Sequence, residues 1–502
     1  MESRWDTLTE EQRGVLDFLL RGDNVAMLGP AGVGKSYLLS VLYTEFPGRM
    51  RALGLSRGEA NPKLPRIQLC ALTGCAALLL GHKAKTLHSW AGIGLGKGTI
   101  QELYIKIRRN RKAMQQWLLT DVLVVDEVSM LTAELLDKLN ELAKKIRGSR
   151  APFGGLQVLL VGDFFQLPPV SREEVQFAFE SAAWKEGISV CVELTQIQRQ
   201  KDVVFQNILK EARVGALSAE SCRILRGLEG REWRSHKIKP TLVFPRRAEV
   251  EMINASNLKA LKGRRETYKA RLVYDGKMPK GFTESDEGFQ QALTRFDTEA
   301  AYSLQLELAE HAQVMLIANV DPASGLVNGS RGVVVGFCGA TGLPIVEFLN
   351  GVRKPMGTHA WPVEEYPFVS RTQVPLRLAW SITTHKTQGA TLDAALVDIG
   401  SGNFEYGQAY VALSRARSLE ALYVHDFDPI AFRAHPTVKK FYKGLVTTSM
   451  EPSERETLRA LSRPQEDEKQ VTAGASNLLQ GIRVIREPAV STDEKEVEPG
   501  SI

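Results

Sequence analysis

Residues 29–36 read GPAGVGKS, which fits the eight-position pattern G-x-x-x-x-G-K-S of a phosphate-binding loop. The apolar run at 24–28 predicts a buried strand before this loop, and residues 36–46 predict a helix after it. A loop in this setting points its backbone N–H groups and a helix N-terminus at an anion. The sequence therefore predicts an α/β unit that binds a nucleoside triphosphate.

The residues of the loop have distinct predicted roles. Gly29, Gly32 and Gly34 allow the tight turn that directs the N–H groups inward. Lys35 is placed to reach the β- and γ-phosphates, and the Ser36 hydroxyl is placed to bind Mg²⁺. Kinases, small GTPases, transporters and motors share such a loop, so the motif alone leaves the reaction open.

Two acidic residues, Asp126 and Glu127, end the apolar run VLVV. A carboxylate at the end of a strand beside the phosphate loop can bind Mg²⁺ through water, and a second can deprotonate the attacking water. We assign Asp126 to the metal and Glu127 to the water, which favours hydrolysis over group transfer. Gln166, in the segment GDFFQLPP after the next predicted strand, carries an amide suited to sensing the γ-phosphate.

Size and composition narrow the class of protein. The 502 residues suffice for about three domains, and no apolar run approaches the ~18 residues that span a membrane. The first residues lack the pattern of a secretory signal or transit peptide, so we expect an intracellular protein. The net charge is +6, and residues 451–502 carry 11 acidic and 7 basic side chains, which leaves residues 1–450 at +10. This surplus favours a polyanionic partner.

Apolar strands alternate with helical stretches along most of the chain. Candidate strands begin near residues 24, 67, 121 and 156, and a second set begins near residues 188, 241, 377, 394 and 421. Continuous apolar runs separated by helices indicate parallel sheets that are buried on both faces. We predict one α/β domain over residues 1–187 and a second assembled from 188–262 and 376–447.

Two intervals break this alternation. Residues 263–375 mix Lys-rich, helix-like sequence with short strands and turns, which predicts an inserted accessory domain with a small antiparallel β-barrel. Residues 448–502 are rich in Ser, Glu, Pro and Gln and poor in aromatic residues, which predicts a disordered tail. A short helix at about 479–485 is the alternative for part of this tail.

In their order, several segments resemble the Pif family of superfamily-one DNA helicases, relatives of the RecD-like helicases, across residues 7–427. The segments are LTEEQ (8–12), GPAGVGKS, ALTGCAA (71–77), TLHSWAGIGLG (86–96), VVDEVSML (124–131), GDFFQLPPV, LTQIQRQKDVVFQNILKEARVG (194–215), LVNGSRG (326–332), LAWSITTHKTQGATLD (378–393) and AYVALSRARS (409–418). Each segment alone is a weak signal, but their joint order is specific. The resemblance implies two RecA-like motor domains that use ATP and Mg²⁺ and act on single-stranded DNA.

The resemblance also implies further residues of the nucleotide site. Gln12 would read the adenine edge and select ATP. Arg199 and Arg415 would reach across the cleft from the second domain to neutralise the transferring phosphoryl group, and Gly389 would approach the γ-phosphate with its backbone. Outside this motif context, each arginine is better explained as a surface ion pair. Val33 stands where the family usually has Thr, at a position that offers mainly its backbone to the phosphates.

Positions for contact with DNA follow from the same resemblance. They are Thr73 and His88 on the first domain and His385, Lys386 and Gln388 on the second. Contacts to phosphate and sugar suit a motor that binds any sequence and then releases it. The two histidines could instead be structural helix caps. RNA is not excluded as the track, because phosphate contacts scarcely distinguish it from DNA.

A strand-separating wedge is expected at about residues 92–118, where the family has a small insert. The segment GIGLGKGTIQELYIKIRRNRK (92–112) ends in five basic residues. A charge run of this kind is also typical of a solvated helix face. The predicted β-barrel is the second candidate for gripping DNA at a junction between single and double strands.

The sequence thus predicts a DNA helicase with DNA-stimulated ATP hydrolysis that moves 5′ to 3′ on single strands and unwinds duplexes. The polarity, and a role in DNA repair, recombination or the response to DNA damage, come from the family. Two alternatives stay open: a translocase that displaces proteins without separating strands, and a non-enzymatic DNA-binding scaffold switched by ATP. We expect a monomer, in the nucleus if the source is eukaryotic and otherwise in the cytoplasm.

Overall fold

The computed structural model of the chain describes residues 4–52, 65–94, 96–169, 174, 176–233, 239–275, 278, 281–300, 302–363, 366, 368–447 and 483–486. The strands are Val25–Leu28 (β1), Ile67–Ala71 (β2), Lys85–Thr86 (β3), Val122–Asp126 (β4), Gln157–Gly162 (β5), Val190–Glu193 (β6), Thr241–Phe244 (β7), Arg265–Lys269 (β8), Arg271–Tyr274 (β9), Gln305–Ala309 (β10), Gln313–Leu316 (β11), Arg331–Phe337 (β12), Pro344–Phe348 (β13), Arg353–Pro355 (β14), His359–Pro362 (β15), Val369–Gln373 (β16), Leu376–Leu378 (β17), Ser381–Thr383 (β18), Ala395–Ile399 (β19), Leu422–Phe427 (β20), Val446–Thr447 (β21) and Arg483–Arg486 (β22).

The α-helices are Glu10–Leu20 (α1), Lys35–Ala52 (α2), Gly74–Leu80 (α3), Leu87–Ala91 (α4), Ile100–Arg109 (α5), Arg111–Leu119 (α6), Ala133–Arg147 (α7), Ala182–Gly187 (α8), Val203–Val214 (α9), Ala219–Arg226 (α10), Arg247–Ala260 (α11), Glu287–Glu299 (α12), Thr384–Thr387 (α13), Gln408–Leu413 (α14) and Pro436–Gly444 (α15). Within the described ranges, no helix is long and apolar enough to cross a membrane.

The first sheet carries the phosphate-binding loop. Its parallel strands follow the order β6-β1-β5-β4-β2-β3. Alternate residues of β1 enter different apolar layers: Val25 and Met27 pack with α1 and α2, whereas Ala26 and Leu28 pack with residues of α4, α5 and α7. Because both faces of the sheet are covered, its strands are apolar on both sides. The predicted α/β architecture is confirmed for this unit.

A second parallel sheet follows the order β18-β7-β19-β20. Phe205 and Ile208 of α9 and Tyr410 and Leu413 of α14 share one apolar layer with Val397 of β19. The chain therefore contains two parallel sheets, as predicted from the alternation of strands and helices.

The strands between α11 and β18 pair antiparallel. They form a five-stranded sheet of order β14-β13-β12-β11-β17, a three-stranded sheet of order β15-β16-β9 and the pair β10-β8. The antiparallel character was predicted, and closure into a barrel stays a prediction. Because β17 pairs with β11, the sheet extends to Leu378, beyond the predicted limit at residue 375.

Two further boundaries of the predicted domains are wrong. Strand β6 belongs to the first sheet and not to the second, because it pairs parallel with β1 and buries Val190 and Val192 beside α1. Helix α15 also packs on the first unit: Val438 lies in its core, and the Phe441 ring stacks on Phe179 with centroids 4.1 Å apart. Apolar side chains on one face of a short helix bind the nearest apolar layer, whichever sheet precedes them in sequence.

The prediction of a disordered tail is wrong for four residues. Strand β22 pairs antiparallel with both β6 and β21, where disorder or a short helix was expected. Val484 and Ile485 are β-branched and favour an extended chain. The outer edge of β6 offers backbone groups that an added strand can satisfy. The remaining residues of 448–502 lie outside the described ranges.

The basic interval expected to form a wedge folds as helices α5 and α6. The side chains of Thr99 and Asn110 cap their N-termini by accepting the N–H groups of Glu102 and Ala113. Leu103, Ile107 and Trp117 are buried in the core of the first unit. The exposed basic side chains are Lys106, Arg108, Arg109, Arg111 and Lys112. Helices α5 and α6 thus bury an apolar face in the first unit and present a basic face to solvent.

A buried carboxylate, Asp163, joins segments from both sheets. The Arg213 guanidinium donates to Asp163 through Nε (3.0 and 3.1 Å) and Nη2 (2.9 Å), and to Glu193 through Nη1 at 2.9 Å. The Tyr410 hydroxyl donates to Asp163 Oδ2 at 3.3 Å and accepts the N–H of Ala31 at 3.0 Å. Ala31 belongs to the phosphate-binding loop, so this cluster connects the loop directly with α9 and α14.

Replacing Arg213 tests how strongly this cluster supports the fold. Arg213→Met should destabilise the protein by about 3–5 kcal/mol, because it leaves the Asp163 carboxylate buried without its cation. Urea unfolding followed by circular dichroism measures the loss. Arg223→Met is the control, since Arg223 also pairs with a carboxylate, Glu220, but its side chain is 74% exposed. Equal losses in the two variants would contradict the structural role given to Asp163.

Candidate active site

The phosphate-binding loop lies between β1 and α2, at the carboxyl end of the first sheet. Gly32 and Gly34 have φ angles of +89° and +84°, in the left-handed region that favours glycine. A Cβ at Gly34 would lie 2.6 Å from Gln12 Nε2, and one at Gly32 would lie 2.8 Å from Gln200 Oε1. Both positions therefore favour glycine for their backbone conformation, and a side chain there would also have to displace the glutamine amides.

Lys35 is held inside its own loop. Its Nζ donates to the carbonyl oxygens of Gly29 at 2.7 Å and Pro30 at 2.9 Å. Burial lowers the pKa of the ammonium group, while the carboxylates of Asp163, Asp126 and Glu127 oppose this shift. The loop thus places one cation among the acids that follow β4 and β5. Its neighbour Ser36 is exposed at the start of α2.

The two predicted carboxylates lie together at the end of β4, and both are buried. The Glu127 N–H donates to Asp126 Oδ1 at 2.8 Å. Burial, and then the charge of Glu127, raise the pKa of Asp126 to about 7. Glu127 has φ 59° and ψ 44°, a left-handed conformation that residues with a side chain seldom adopt. Such backbone strain clusters at functional sites.

The two predicted arginines lie near one another beside the loop. The backbone N–H of Arg199 donates to the Gly32 carbonyl at 3.0 Å. Arg415 is buried, and its Nη1 donates to the carbonyl oxygens of Thr387 and Ala390 at 3.2 Å each. Burial, and then the charge of Arg199, lower the pKa of Arg415 to about 10. Arg415 therefore lies near Glu127 and Arg199 lies against the loop, and neither forms an ion pair with a carboxylate in the part of the chain that the structure describes.

Of the two glutamines predicted to contact the nucleotide, Gln12 lies at the loop and Gln166 lies in the turn that follows β5. Gln12 donates through Nε2 to the Val33 carbonyl at 3.2 Å, while its Oε1 accepts the Thr9 N–H at 3.0 Å. Gln166 is buried, and its backbone N–H donates to the Asp163 carbonyl at 2.9 Å. Recognition of adenine by Gln12 and of the γ-phosphate by Gln166 stay predictions.

Gln388 has a contact that the sequence did not predict. Its Nε2 donates to Glu127 Oε2 at 2.8 Å, and both side chains are buried. The following residue, Gly389, has φ +77°, and a Cβ there would lie 3.5 Å from Glu127 Oε1. The structure thus brings Gln388 and Gly389 into the nucleotide site. The predicted contact of Gln388 with DNA is untested, and its amide is occupied by the carboxylate here.

The other positions predicted for DNA lie closer to the surface. Thr73 caps α3, because its hydroxyl accepts the Ala76 N–H at 3.2 Å. His88 and His385 are half-buried, and burial lowers the pKa of both imidazoles. Lys386 is exposed on α13. Contacts of these four residues with DNA stay predictions.

Sequence reasoning missed three residues of the site: Asp163, Arg213 and Tyr410. Asp163 had a usable signal, since it directly follows a predicted strand in the same segment as Gln166. Arg213 and Tyr410 had no local signal, because they lie 50 and 247 positions from the carboxylate they bind.

Two protein-family models match the chain. A family model described as PIF1-like helicase matches residues 7–220, and one described as DNA helicase Pif1, 2B domain, matches residues 294–337. The chain is 38% identical over 451 residues to the ATP-dependent DNA helicase PIF1 of Mus musculus, which covers 89% of this chain and 64% of the mouse protein. It therefore spans less than two thirds of that relative's length.

Solved structures match over a similar extent. The crystal structure of the Pif1 helicase from Candida albicans is 36% identical with a TM-score of 0.72, over 87% of this chain and 99% of that chain. A Bacteroides Pif1 helicase in complex with ADP-AlF3 and ssDNA is 26% identical with a TM-score of 0.59, over 87% and 96% of the two chains. Together with the mouse relative, these matches show that the chain belongs to the PIF1-like helicase family.

Proposed function

We propose that this protein is an ATP-dependent DNA helicase that moves 5′ to 3′ along single-stranded DNA and unwinds duplexes. The observation that carries the proposal is that Lys35 and Arg415, which belong to the units of the two parallel sheets, both lie close to the Glu127 carboxylate. A relative solved with ADP-AlF3 and ssDNA lends support. A role in DNA repair, recombination or the response to DNA damage, and a nuclear location in a eukaryote, belong to the same proposal.

The motor consists of two RecA-like domains. The first extends from the N-terminus through β6, and the second is built around β7, β18, β19 and β20. The antiparallel strands between them form the accessory domain. The division is supported by sheet membership. The protein acts as a monomer, because one chain supplies residues on both sides of the cleft.

The residues at the loop fit a nucleoside triphosphate with Mg²⁺. Glycines keep the loop open to an anion, and the loop lies at the N-terminus of α2. Ser36 and Asp126 would hold Mg²⁺, which supplies charge neutralisation at the phosphate oxygens. Gln12 selects ATP, and the backbones of Gly29, Gly32, Val33 and Gly34 line the phosphates.

The side chains around the cleft have separate roles in hydrolysis. Lys35 binds the terminal phosphates, and Glu127 accepts a proton from the attacking water. Arg199 and Arg415 neutralise charge that develops on the transferring group. Gln166 and Gly389 sense the γ-phosphate. Since these groups come from both sheets, closure of the cleft around ATP and its reopening after hydrolysis move the sheets relative to one another.

DNA lies across Thr73 and His88 of the first domain and His385 and Lys386 of the second. Such contacts address phosphate and sugar and leave the base sequence unread. Single-stranded DNA, and junctions of single and double strands, are the proposed partners. The same binding assays can reveal binding of RNA, since the proposed contacts do not depend on the 2′ position of the sugar.

Loss of the proposed base tests hydrolysis. Glu127→Gln should lower the DNA-stimulated turnover of ATP by about 10²–10⁴-fold while nucleotide binding persists, and Lys35→Ala should lose nucleotide binding as well. Phosphate release and fluorescent nucleotide binding measure the two effects. Glu134→Gln is a matched control, because Glu134 is exposed on the neighbouring α7. Turnover that survives Glu127→Gln would favour the ATP-switched scaffold.

The wedge proposal distinguishes a helicase from a translocase. Replacing Arg108, Arg109, Arg111 and Lys112 with Ala should slow strand separation by about tenfold or more, because their contacts to phosphates are lost, and should preserve ATP turnover. Unwinding of a fluorescent partial duplex measures this. An equal charge change at the exposed residues Lys210, Arg223, Arg226 and Lys259 is the control. Unchanged unwinding in the first variant would contradict the wedge assignment.

A further inference from the structure

One short segment holds two reactive groups of the proposed site at once. Gln388 donates to Glu127 Oε2 at 2.8 Å, and the carbonyl oxygens of Thr387 and Ala390 accept from Arg415 at 3.2 Å. The segment 387–390 directly follows the exposed Lys386. Lys386, a surface residue proposed to contact DNA, therefore directly precedes the segment that binds Glu127 and Arg415.

Glu127 does not need Gln388 to keep its position. Its backbone is fixed in the left-handed region, and its N–H is bound to Asp126 Oδ1. Gly162 packs so closely that a Cβ there would lie 2.8 Å from the Val128 nitrogen. The hydrogen bond from Gln388 therefore sets the orientation of the Glu127 carboxylate and does not change where the residue lies.

The amide of Gln388 occupies one of the two carboxylate oxygens of Glu127. A general base must present an oxygen about 2.6–3.2 Å from the proton-bearing atom, and Nε2 occupies Oε2 at that distance. Arg415 is likewise engaged, because Nε and Nη1 donate to carbonyls of its own unit and Nη2 donates to the Ser414 hydroxyl. Glu127 Oε2 and the Arg415 guanidinium are thus both hydrogen-bonded to segment 387–390.

We infer that Gln388 restrains Glu127 in the absence of DNA, and that single-stranded DNA bound at His385 and Lys386 displaces segment 387–390 and releases Glu127 and Arg415 together. Gln388 is a positioning residue in this mechanism, and the inference rests on the proposed DNA-stimulated ATP hydrolysis. His385 and Lys386 lie on the four-residue helix α13, which leads directly into segment 387–390. A small shift of this helix would therefore move Gln388 relative to the Glu127 carboxylate, without a long chain of intervening residues.

The test compares Gln388→Leu with the unchanged protein. ATP turnover without DNA should rise about tenfold, the effect of losing one hydrogen bond to a charged group. Turnover with saturating oligo(dT) should stay nearly the same, so the degree of stimulation falls. Gln157→Leu is a matched control. Gln157 lies at the start of β5, away from the carboxyl ends of the strands, and its amide donates to the carbonyls of Leu19 and Asp23.

A binding measurement adds a readout that is independent of turnover. If DNA must break the bond between Gln388 and Glu127, removal of that bond should tighten nucleotide-free binding of labelled oligo(dT) by about tenfold, because binding no longer has to supply the free energy of breaking it. Fluorescence anisotropy measures this affinity. Weaker binding would show that Gln388 contacts DNA directly, as its motif position implies, and would overturn the inference.

Folding of the variants is checked by thermal unfolding. Gln388→Asn retains an amide but is one methylene shorter, so it should change basal turnover in the same direction as Gln388→Leu. If the folded variants show unchanged or lower basal turnover while DNA still stimulates the unchanged protein, the restraint is refuted and the proposed function stands. If DNA does not stimulate the unchanged protein, the proposed function itself fails.

Discussion

The buried carboxylate of Asp163 is the constraint on which the nucleotide site depends. A charge without solvent needs partners, and here the donors to Asp163 are Arg213 of α9, Tyr410 of α14 and Tyr442 of α15. The same Tyr410 hydroxyl that binds Asp163 also binds the loop at Ala31. The relative placement of the two sheets and the position of the phosphate-binding loop are therefore set by one group of hydrogen bonds.

Two cations of the site, Lys35 and Arg415, bind backbone carbonyls. Lys35 binds carbonyls of its own loop, and Arg415 binds carbonyls beside Gln388. Phosphate oxygens are charged acceptors and bind such donors more strongly than carbonyl oxygens do. In the proposed function, arrival of a triphosphate would exchange one set of partners for another and so couple the nucleotide to movement of the segments that carry those carbonyls.

Local sequence was sufficient to predict the parts of the site that lie at strand ends. The loop at 29–36 follows β1, and Asp126 and Glu127 follow an apolar run, so the carboxyl edge of a parallel sheet brings them together. The alternation of strands and helices likewise predicted both parallel sheets, which are confirmed. These features depend on neighbours within a few residues.

Features that depend on distant partners could not be predicted. Nothing in the segment around Gln388 indicates that its amide meets a carboxylate 261 positions earlier. Strand β6 was assigned to the wrong sheet because an apolar run does not specify which strand it pairs with. The strand at Arg483–Arg486 depends on the open edge of β6, which exists only once the sheet has formed.

Strand displacement from a partial duplex with a single-stranded tail tests the proposed motor most directly. The substrates carry a tail at either the 5′ or the 3′ end, and Lys35→Ala serves as the inactive control. A 5′-to-3′ helicase should displace the strand only from the 5′-tailed duplex and only with ATP. Displacement from the 3′ tail alone would contradict the polarity, and displacement from neither tail would contradict the assignment as a helicase.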